Sequence, residues 1–252
     1  MRLYHYTKLE NLPLIVQEDK LSFWLTNYKE FDDKSEGEYI LKVQQKYYPH
    51  WNYNNIDRYV LSLCKRYDNL PMWKEYANDA TGIALEIETD RIKTGIFVKL
   101  LECDYNEETI RERSEAIKAV KDRYEAIDAE TKYGDYCKRF PDLNPQEYKD
   151  NCEKFAVMKE SVELIRVKHP CFHYEAEIRL IVQPFNNNFH YCFRNGKLRI
   201  CYEYHIDKMA LTKIYVGSNN NDSVMKNVKA YMGYVGYDDF DVEKIDLPYK
   251  SH

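Results

Sequence analysis

The stretch Tyr174-Glu175-Ala176-Glu177-Ile178-Arg179-Leu180-Ile181-Val182 constrains the fold more than any other part of the chain. Its alternation predicts a β-strand with Tyr174, Ala176, Ile178 and Leu180 on one face and Glu175, Glu177 and Arg179 on the other. Same-face neighbours on a strand stand about 6.5–7 Å apart, so the three charges would form one row. Such a row gives little to a core. It fits either a half-exposed strand with solvated charges or a catalytic strand in which Arg179 holds one carboxylate while the other works.

The rest of the chain supplies the setting for that strand. Leu3–Tyr6 reads as a strand, followed by a helix opened by Thr7 with Glu10 as a capping box and Leu9, Leu12, Ile15 and Val16 as its apolar stripe. Leu21–Thr26 is a second strand, and a helix is expected over Ser35–Tyr47. Asp57–Leu63, Gly82–Glu88 and Phe97–Tyr105 read as strands, with a helical turn carrying Met72, Trp73, Tyr76 and Ala77 before the second of them. Mixed charge at helical spacing then predicts helices over 107–132 and 145–167, so 106–168 reads as a helical insertion in an otherwise β-rich body. A hairpin around Asn195-Gly196, a strand over Ala210–Val216, a helix capped by Asp222 and a last strand, Val242–Leu247, complete the pattern. The fold class expected is α+β, in one domain spanning residues 1–252.

Composition excludes several classes. A formal charge of −5 gives no global basic bias towards nucleic acid. No apolar run reaches the ~18–20 residues a membrane span needs, and Met1-Arg2-Leu3-Tyr4-His5 has no signal-peptide core. Seven cysteines without a Cys-x-x-Cys pair argue against a disulfide scaffold. The expectation is therefore a cytoplasmic protein without membrane partners. His169-x-Cys171-x-His173 and His190-x-Cys192, with Cys201 and His205, carry zinc-ligand residue types, but their spacings match no finger or ribbon, and no metal site is assigned. Twenty-four tyrosines suit packing around a ligand.

Several candidates carry chemistry only in combination. His5 on the first strand is by itself a packing residue. Asn27, Asp32, Asp33 and Glu36 after the second strand read singly as caps and turns, and Trp73 and Tyr76 as core. Taken in order, Leu3-Tyr4-His5-Tyr6-Thr7, Asn11-Leu12, Trp24-Leu25-Thr26-Asn27, Phe31-Asp32-Asp33, Met72-Trp73-Lys74-Glu75-Tyr76-Ala77, Gly82-Ile83, Tyr174 to Arg179 and Ile214-Tyr215-Val216-Gly217 resemble the bacterial domain-of-unknown-function family DUF2971. Only the 106–168 region lies outside that resemblance.

More distantly, the first-strand histidine, the Asn-Leu-x-x-Ile helix and the Lys-Leu strand resemble the opening of ADP-ribosyltransferases, and Glu175-Ala176-Glu177 their Glu-x-Glu pair. That resemblance implies an ADP-ribosyltransferase-like split β-sheet core and transfer of ADP-ribose from NAD, as substrate, to a macromolecular acceptor, nucleic acid or protein. It also implies a bacterial toxin or phage-defence setting, with an antitoxin or other system partner. Glu177 would stabilise the oxocarbenium-like cation, Glu175 would serve as base towards the acceptor, and His5 would position the ribose. Tyr6, Thr7, Asn27, Asp32 and Arg179 would complete the NAD site, and Trp73 or Tyr76 would stack on nicotinamide. No Tyr-x10-Tyr pair can be placed as a nicotinamide clamp beside these motifs, and no Ser-Thr-Ser strand is visible. The competing reading is a non-catalytic nucleotide- or partner-binding module on the same fold.

Overall fold

A computed structural model describes residues 1–31, 34–47, 57–95, 97–126, 162–194 and 196–248. By its internal contacts the chain divides into two compact units. The first comprises Met1–Asp32, Asp57–Cys103 and Cys171–His252, and the second Asp33–Ile56 and Asp104–Pro170.

The first unit is built on β1 (Arg2–Thr7), β2 (Lys20–Asn27), β3 (Tyr59–Cys64), β4 (Ile83–Glu88), β5 (Val98–Glu102), β6 (Glu177–Val182), β7 (Phe189–Arg194), β8 (Lys197–Asp207), β9 (Leu211–Val216) and β10 (Val242–Lys244). These ten strands form one mixed sheet in the order β10-β9-β4-β1-β3-β2-β8-β7, with β6 paired to β3 and β5 paired to β6. A strand has two hydrogen-bonding edges, and β3 gives one wholly to β6, from Tyr59↔Val182 to Cys64↔Glu177. Two strands share its other edge. β2 takes the start, Tyr59 and Val60, and β1 takes the end at Cys64, so the sheet forks on either side of Ser62.

The two faces of this sheet bury different side chains. Leu3, Phe23, Leu61, Leu85, Ile178, Leu180 and Ile214 lie in the larger core, with Val228 and Met232 from the C-terminal helix. The opposite face holds Tyr4, Tyr6, Cys64, Ala84 and Tyr215 against Met72, Trp73, Ala77, Ile245 and Leu247. Trp73 has no exposed surface. Burial of a whole aromatic side chain contributes about 4–6 kcal/mol before its ordering cost.

The helices of this unit follow from local chemistry. After β1 the chain makes a 3-10 turn, Leu9–Asn11, and one α-turn, α1 (Leu12–Ile15). The capping box expected at Thr7 does not form. The N-cap is Lys8 without a side-chain bond, because the Thr7 hydroxyl accepts instead from the Asn11 amide at 2.8 Å. The C-terminal helix, Asp222–Tyr234, is capped by Asn221, whose Oδ1 accepts from the Val224 amide at 3.2 Å, and not by Asp222. β10 runs parallel to β9 and ends the sheet.

In the second unit, α2 (Lys34–Tyr47) and α4 (Glu107–Ala126) are the long helices. The Glu107 carboxylate accepts from Lys46 and from the Tyr47 hydroxyl, and Arg113 reaches Asp104 at 3.2 Å and Glu163 at 3.3 Å. Among the described residues Ile40, Val43, Ile110, Leu164, Ile165 and Val167 are its buried aliphatic side chains. The 106–168 stretch read as an insertion thus falls in this unit together with Asp33–Ile56. The parts of the two expected helices at 127–132 and 145–161 lie outside the described residues.

The face of β2, β7 and β8 opposite the larger core carries a polar network. Glu203 accepts from the Ser22 hydroxyl at 2.6 Å and pairs with His190 at 2.7 Å and His205 at 2.8 Å. Trp24 stacks flat on His190, with the rings 5.2 Å apart. The thiols expected to stay unbridged include one pair that does not: Cys192 and Cys201, diagonal neighbours across β7 and β8, form a disulfide with their Cα atoms 6.6 Å apart.

Burial opposes ionisation of Glu203, but the bonds from Ser22, His205 and His190 outweigh it and hold the carboxyl at about 2, below its ordinary 4.5. A depressed carboxylate stabilises the fold above its unfolded pKa and loses that contribution as pH falls through the folded one. The urea midpoint of the native protein should therefore fall between about pH 4.5 and pH 2 by more than that of Glu203→Gln. Parallel acid limbs would contradict this.

Candidate active site

The site is assembled where β6 begins. The expected strand from Tyr174 is interrupted: Pro170–Glu175 forms a 3-10 helix, Ala176 sits at φ +46°, and extended structure starts at Glu177. A left-handed alanine costs about 1–2 kcal/mol, and this one turns Glu175 out of the row formed by Glu177 and Arg179. Contacts with the end of β3 and the segment after it help hold the kink. The Cys64 thiol lies 3.0 Å from the Glu175 carbonyl, the Lys65 amide donates to the Ala176 carbonyl at 3.2 Å, and the Asn69 amide donates to the Tyr174 carbonyl at 2.6 Å.

Glu177 and Arg179 do share a face, and they bind each other. Arg179 Nε donates to Glu177 Oε1 at 3.0 Å and Nη2 to Oε2 at 3.2 Å, a two-pronged pair that fixes both groups. Both residues are 1% exposed, and the Phe31 ring covers the guanidinium at 4.9 Å. Glu175 is also buried, and the Tyr76 hydroxyl lies 3.4 Å from its Oε1.

Trp73 and Tyr76 part company. Trp73 is enclosed, donating its indole N–H to the Tyr67 carbonyl at 2.7 Å and meeting Tyr6 edge-on at 5.2 Å. Tyr76, just past α3 (Leu70–Glu75), is 44% exposed. Beyond it Asn78, Asp79 and Ala80 all have left-handed backbone, with φ of 48°, 57° and 60°. This strained turn is clamped by Asn219 on the Asp79 carbonyl at 2.7 Å and Asn220 on the Thr81 carbonyl at 3.0 Å. Its Ala80 carbonyl presses so closely on Gly217, and the Thr7 carbonyl on Gly82, that a Cβ at either would overlap neighbouring backbone. Two strained segments thus flank the Tyr76–Glu175 contact, and strain of this kind concentrates at functional sites.

The other expected residues are distributed around the fork. His5 Nδ1 lies 3.1 Å from the Ser62 carbonyl, which only accepts, so Nδ1 carries the proton. The ring meets Phe23 edge-on at 5.3 Å. Since Ser62 pairs with Arg179, His5 and the ion pair lie on opposite edges of β3 at the same level. Their side chains leave different faces of the sheet, because Tyr4, not His5, lies level with Cys64 and Glu177. Tyr6 donates to the Arg66 carbonyl at 2.6 Å, and burial pushes its hydroxyl well above the ordinary tyrosine range, so it stays neutral. Thr7 is committed to Asn11. Asn27 caps the turn after β2, accepting from the Lys29 amide at 3.1 Å and donating to Asp57 at 3.0 Å. Asp32 and Asp33 lie outside the described residues, as does the Glu36 side chain.

Sequence reasoning missed Ser62, Cys64 and Asn69, which sit in no motif, and gave Phe31 of the Phe31-Asp32-Asp33 segment no role. Only strand register and loop closure bring them to the site. The expected zinc-ligand types are otherwise engaged, with Cys192 bound to Cys201 and both His190 and His205 on Glu203. Among the described residues no group of three or more His, Cys, Asp or Glu side chains is arranged to hold a metal ion. No helix among them is long and apolar enough to cross a membrane.

The fold and site therefore define an α+β protein whose forked sheet carries a buried carboxylate–guanidinium pair beside a second buried carboxylate. Residues 72–180 match the model of a family described as a protein of unknown function (DUF2971). The match covers less than half of the chain but runs from Met72 through α3 to one residue past Arg179, so it holds Trp73, Tyr76, Glu175, Glu177 and Arg179. It supports the resemblance to that family seen in the sequence, but it spans the 106–168 stretch expected to lie outside that resemblance and leaves His5, Tyr6, Thr7 and Asn27 outside. No curated protein and no solved structure matches the chain.

Removing one partner of a buried ion pair costs about 3–5 kcal/mol, whereas replacing both with apolar groups costs far less. Arg179→Ala should destabilise the protein by about that amount in urea denaturation, and the double substitution Glu177→Leu with Arg179→Met should recover most of it. A loss below ~1 kcal/mol in the single variant would show the pair to be solvated.

Proposed function

We propose that the protein transfers ADP-ribose from NAD to a macromolecular acceptor at the start of β6. The observation that carries the reading is the fork itself. One strand, β3, has β1 with His5 on one edge and β6 with the Glu177–Arg179 pair on the other, while Glu175 meets an exposed tyrosine close by. A split sheet with a first-strand histidine and a Glu-x-Glu on a later strand is the arrangement the resemblance to ADP-ribosyltransferases implies.

The chemistry balances on this chain's own groups. The bond between the ribose C1′ and the nicotinamide nitrogen breaks, and neutral nicotinamide leaves with the electron pair. Glu177, fixed by Arg179, stabilises the cation left on the ribose, the kind of electrostatic term that is usually largest. The acceptor nucleophile then bonds to C1′ and gives its proton to Glu175, which is shielded from water and sits 3.4 Å from the Tyr76 hydroxyl. Tyr76, being exposed while Trp73 is not, offers its ring to the cationic nicotinamide. His5 leaves the opposite face of the sheet and could reach the ribose only through the opening at Ser62.

One observation favours the competing reading, a non-catalytic nucleotide- or partner-binding module. The Glu177 carboxylate already has both oxygens bonded to Arg179, which damps the field it can apply to a passing cation.

Nicotinamide release from NAD, followed by chromatography, separates the two. The transferase reading expects release that falls at least ~100-fold in Glu177→Gln, and a KM raised roughly tenfold in Tyr76→Ala, the equivalent of about 1.4 kcal/mol of binding. NAD binding without release, unchanged in Glu177→Gln, leaves the module.

A further inference from the structure

We propose that the protein self-associates through β7, two copies pairing antiparallel about a two-fold axis at Tyr191. Among the described residues β7 is the last strand of the sheet and has β8 as its partner on one edge alone. Exposed sheet edges template further strand pairing, and natural edges are blunted by proline, lysine or a bulge. β7, Phe-His-Tyr-Cys-Phe-Arg, contains no proline and no lysine, and its register with β8 runs unbroken from Phe189↔Tyr202 to Arg194↔Lys197.

The side chains at this edge are apolar and exposed. Tyr191 is 69% and Phe193 79% exposed, and Phe185, Phe189, Leu198 and Ile200 add to the same patch. Strand parity puts Phe189, Tyr191 and Phe193 on one face with their β8 partners Ile200 and Leu198. Where Tyr202 continues this stripe inwards it is buried in the larger core. The stripe is therefore core-like in composition but runs out past the edge of its own core.

The sequence of β7 matches itself. With Tyr191 opposite Tyr191 of a second copy, Phe189 falls opposite Phe193 and His190 opposite Cys192. One face then carries a ladder of aromatic pairs, which stabilise antiparallel strands, and the positions face to face bring no like charges together. A two-fold axis makes this contact closed and self-complementary. Pairing joins the two backbones by ladder hydrogen bonds and sets the aromatic side chains of β7 beside those of its copy, while Leu198 and Ile200, one strand further in, keep their exposure. The Cys192–Cys201 crosslink holds the hairpin in shape beforehand, which lowers the ordering cost of association.

Light scattering after size exclusion of the full chain, over a hundredfold range of concentration, should give twice the chain mass. Tyr191→Lys places two ammonium groups at the axis and should return the chain mass with an unchanged far-ultraviolet dichroism spectrum. Under mild oxidation Tyr191→Cys should give a covalent dimer beyond that of the native protein, and Phe193→Cys, offset from its own copy, should not. A native protein that stays at the chain mass overturns the proposal, as does a dimer that survives Tyr191→Lys. A native monomer that binds phosphatidylglycerol vesicles through the same residues overturns it in favour of a lipid surface.

Discussion

The structure depends on a charge pair placed where a sheet would ordinarily put aliphatic side chains. Glu177 and Arg179 open β6, which has β3 on one side and β5 on the other, so neither group can reach water by leaning over an edge. Desolvating two charges costs several kcal/mol each, and only good geometry with further bonds offsets it. The two-pronged contact and the covering Phe31 ring supply that geometry. The pair also specifies register. A one-residue slip of β6 would turn both charges into the larger core, where Ile178, Leu180 and Val182 now lie.

From that constraint the site follows. With β6 fixed along all of one edge of β3, the other edge is left to two strands that cannot both run its full length, and the sheet opens at Ser62. His5 enters the opening and bonds the Ser62 carbonyl. At the start of β6 the chain must enter the sheet abruptly, which it does through a left-handed alanine, and this swings Glu175 towards Tyr76. A second left-handed run, Asn78 to Ala80, sets Tyr76 in place and is held by Asn219 and Asn220 from beyond β9. Strain on both sides of one contact has no benefit to stability, and its maintenance by long-range bonds fits a site that needs those two side chains together.

Much of this was legible in the sequence, and the failures have physical causes. Period-2 alternation located the sheet strands to within two or three residues at most ends, because each buries at least one apolar face. It failed at Tyr174–Ala176, where the pattern continues but the backbone does not. Alternation reports which side chains want burial, not whether an alanine sits at positive φ. The capping box at Thr7 failed because the motif names a donor and an acceptor without their competitors, and Asn11 reached the hydroxyl first. Trp73 and Tyr76, three residues apart, looked alike on a short helix, and only the depth of the second core separates them. The Cys192–Cys201 pairing needed the β7–β8 register, which the Asn195-Gly196 turn implied but the cysteine count obscured.

The claim that this fork is an NAD site is tested most directly by following backbone amide resonances of the labelled protein during titration with NAD. The account predicts shifts concentrated at His5–Thr7, Ser62–Cys64, Tyr76 and Glu175–Arg179, saturating with one equivalent bound and reduced in Tyr76→Ala. An unchanged spectrum at millimolar NAD, or shifts confined to other strands, would contradict it.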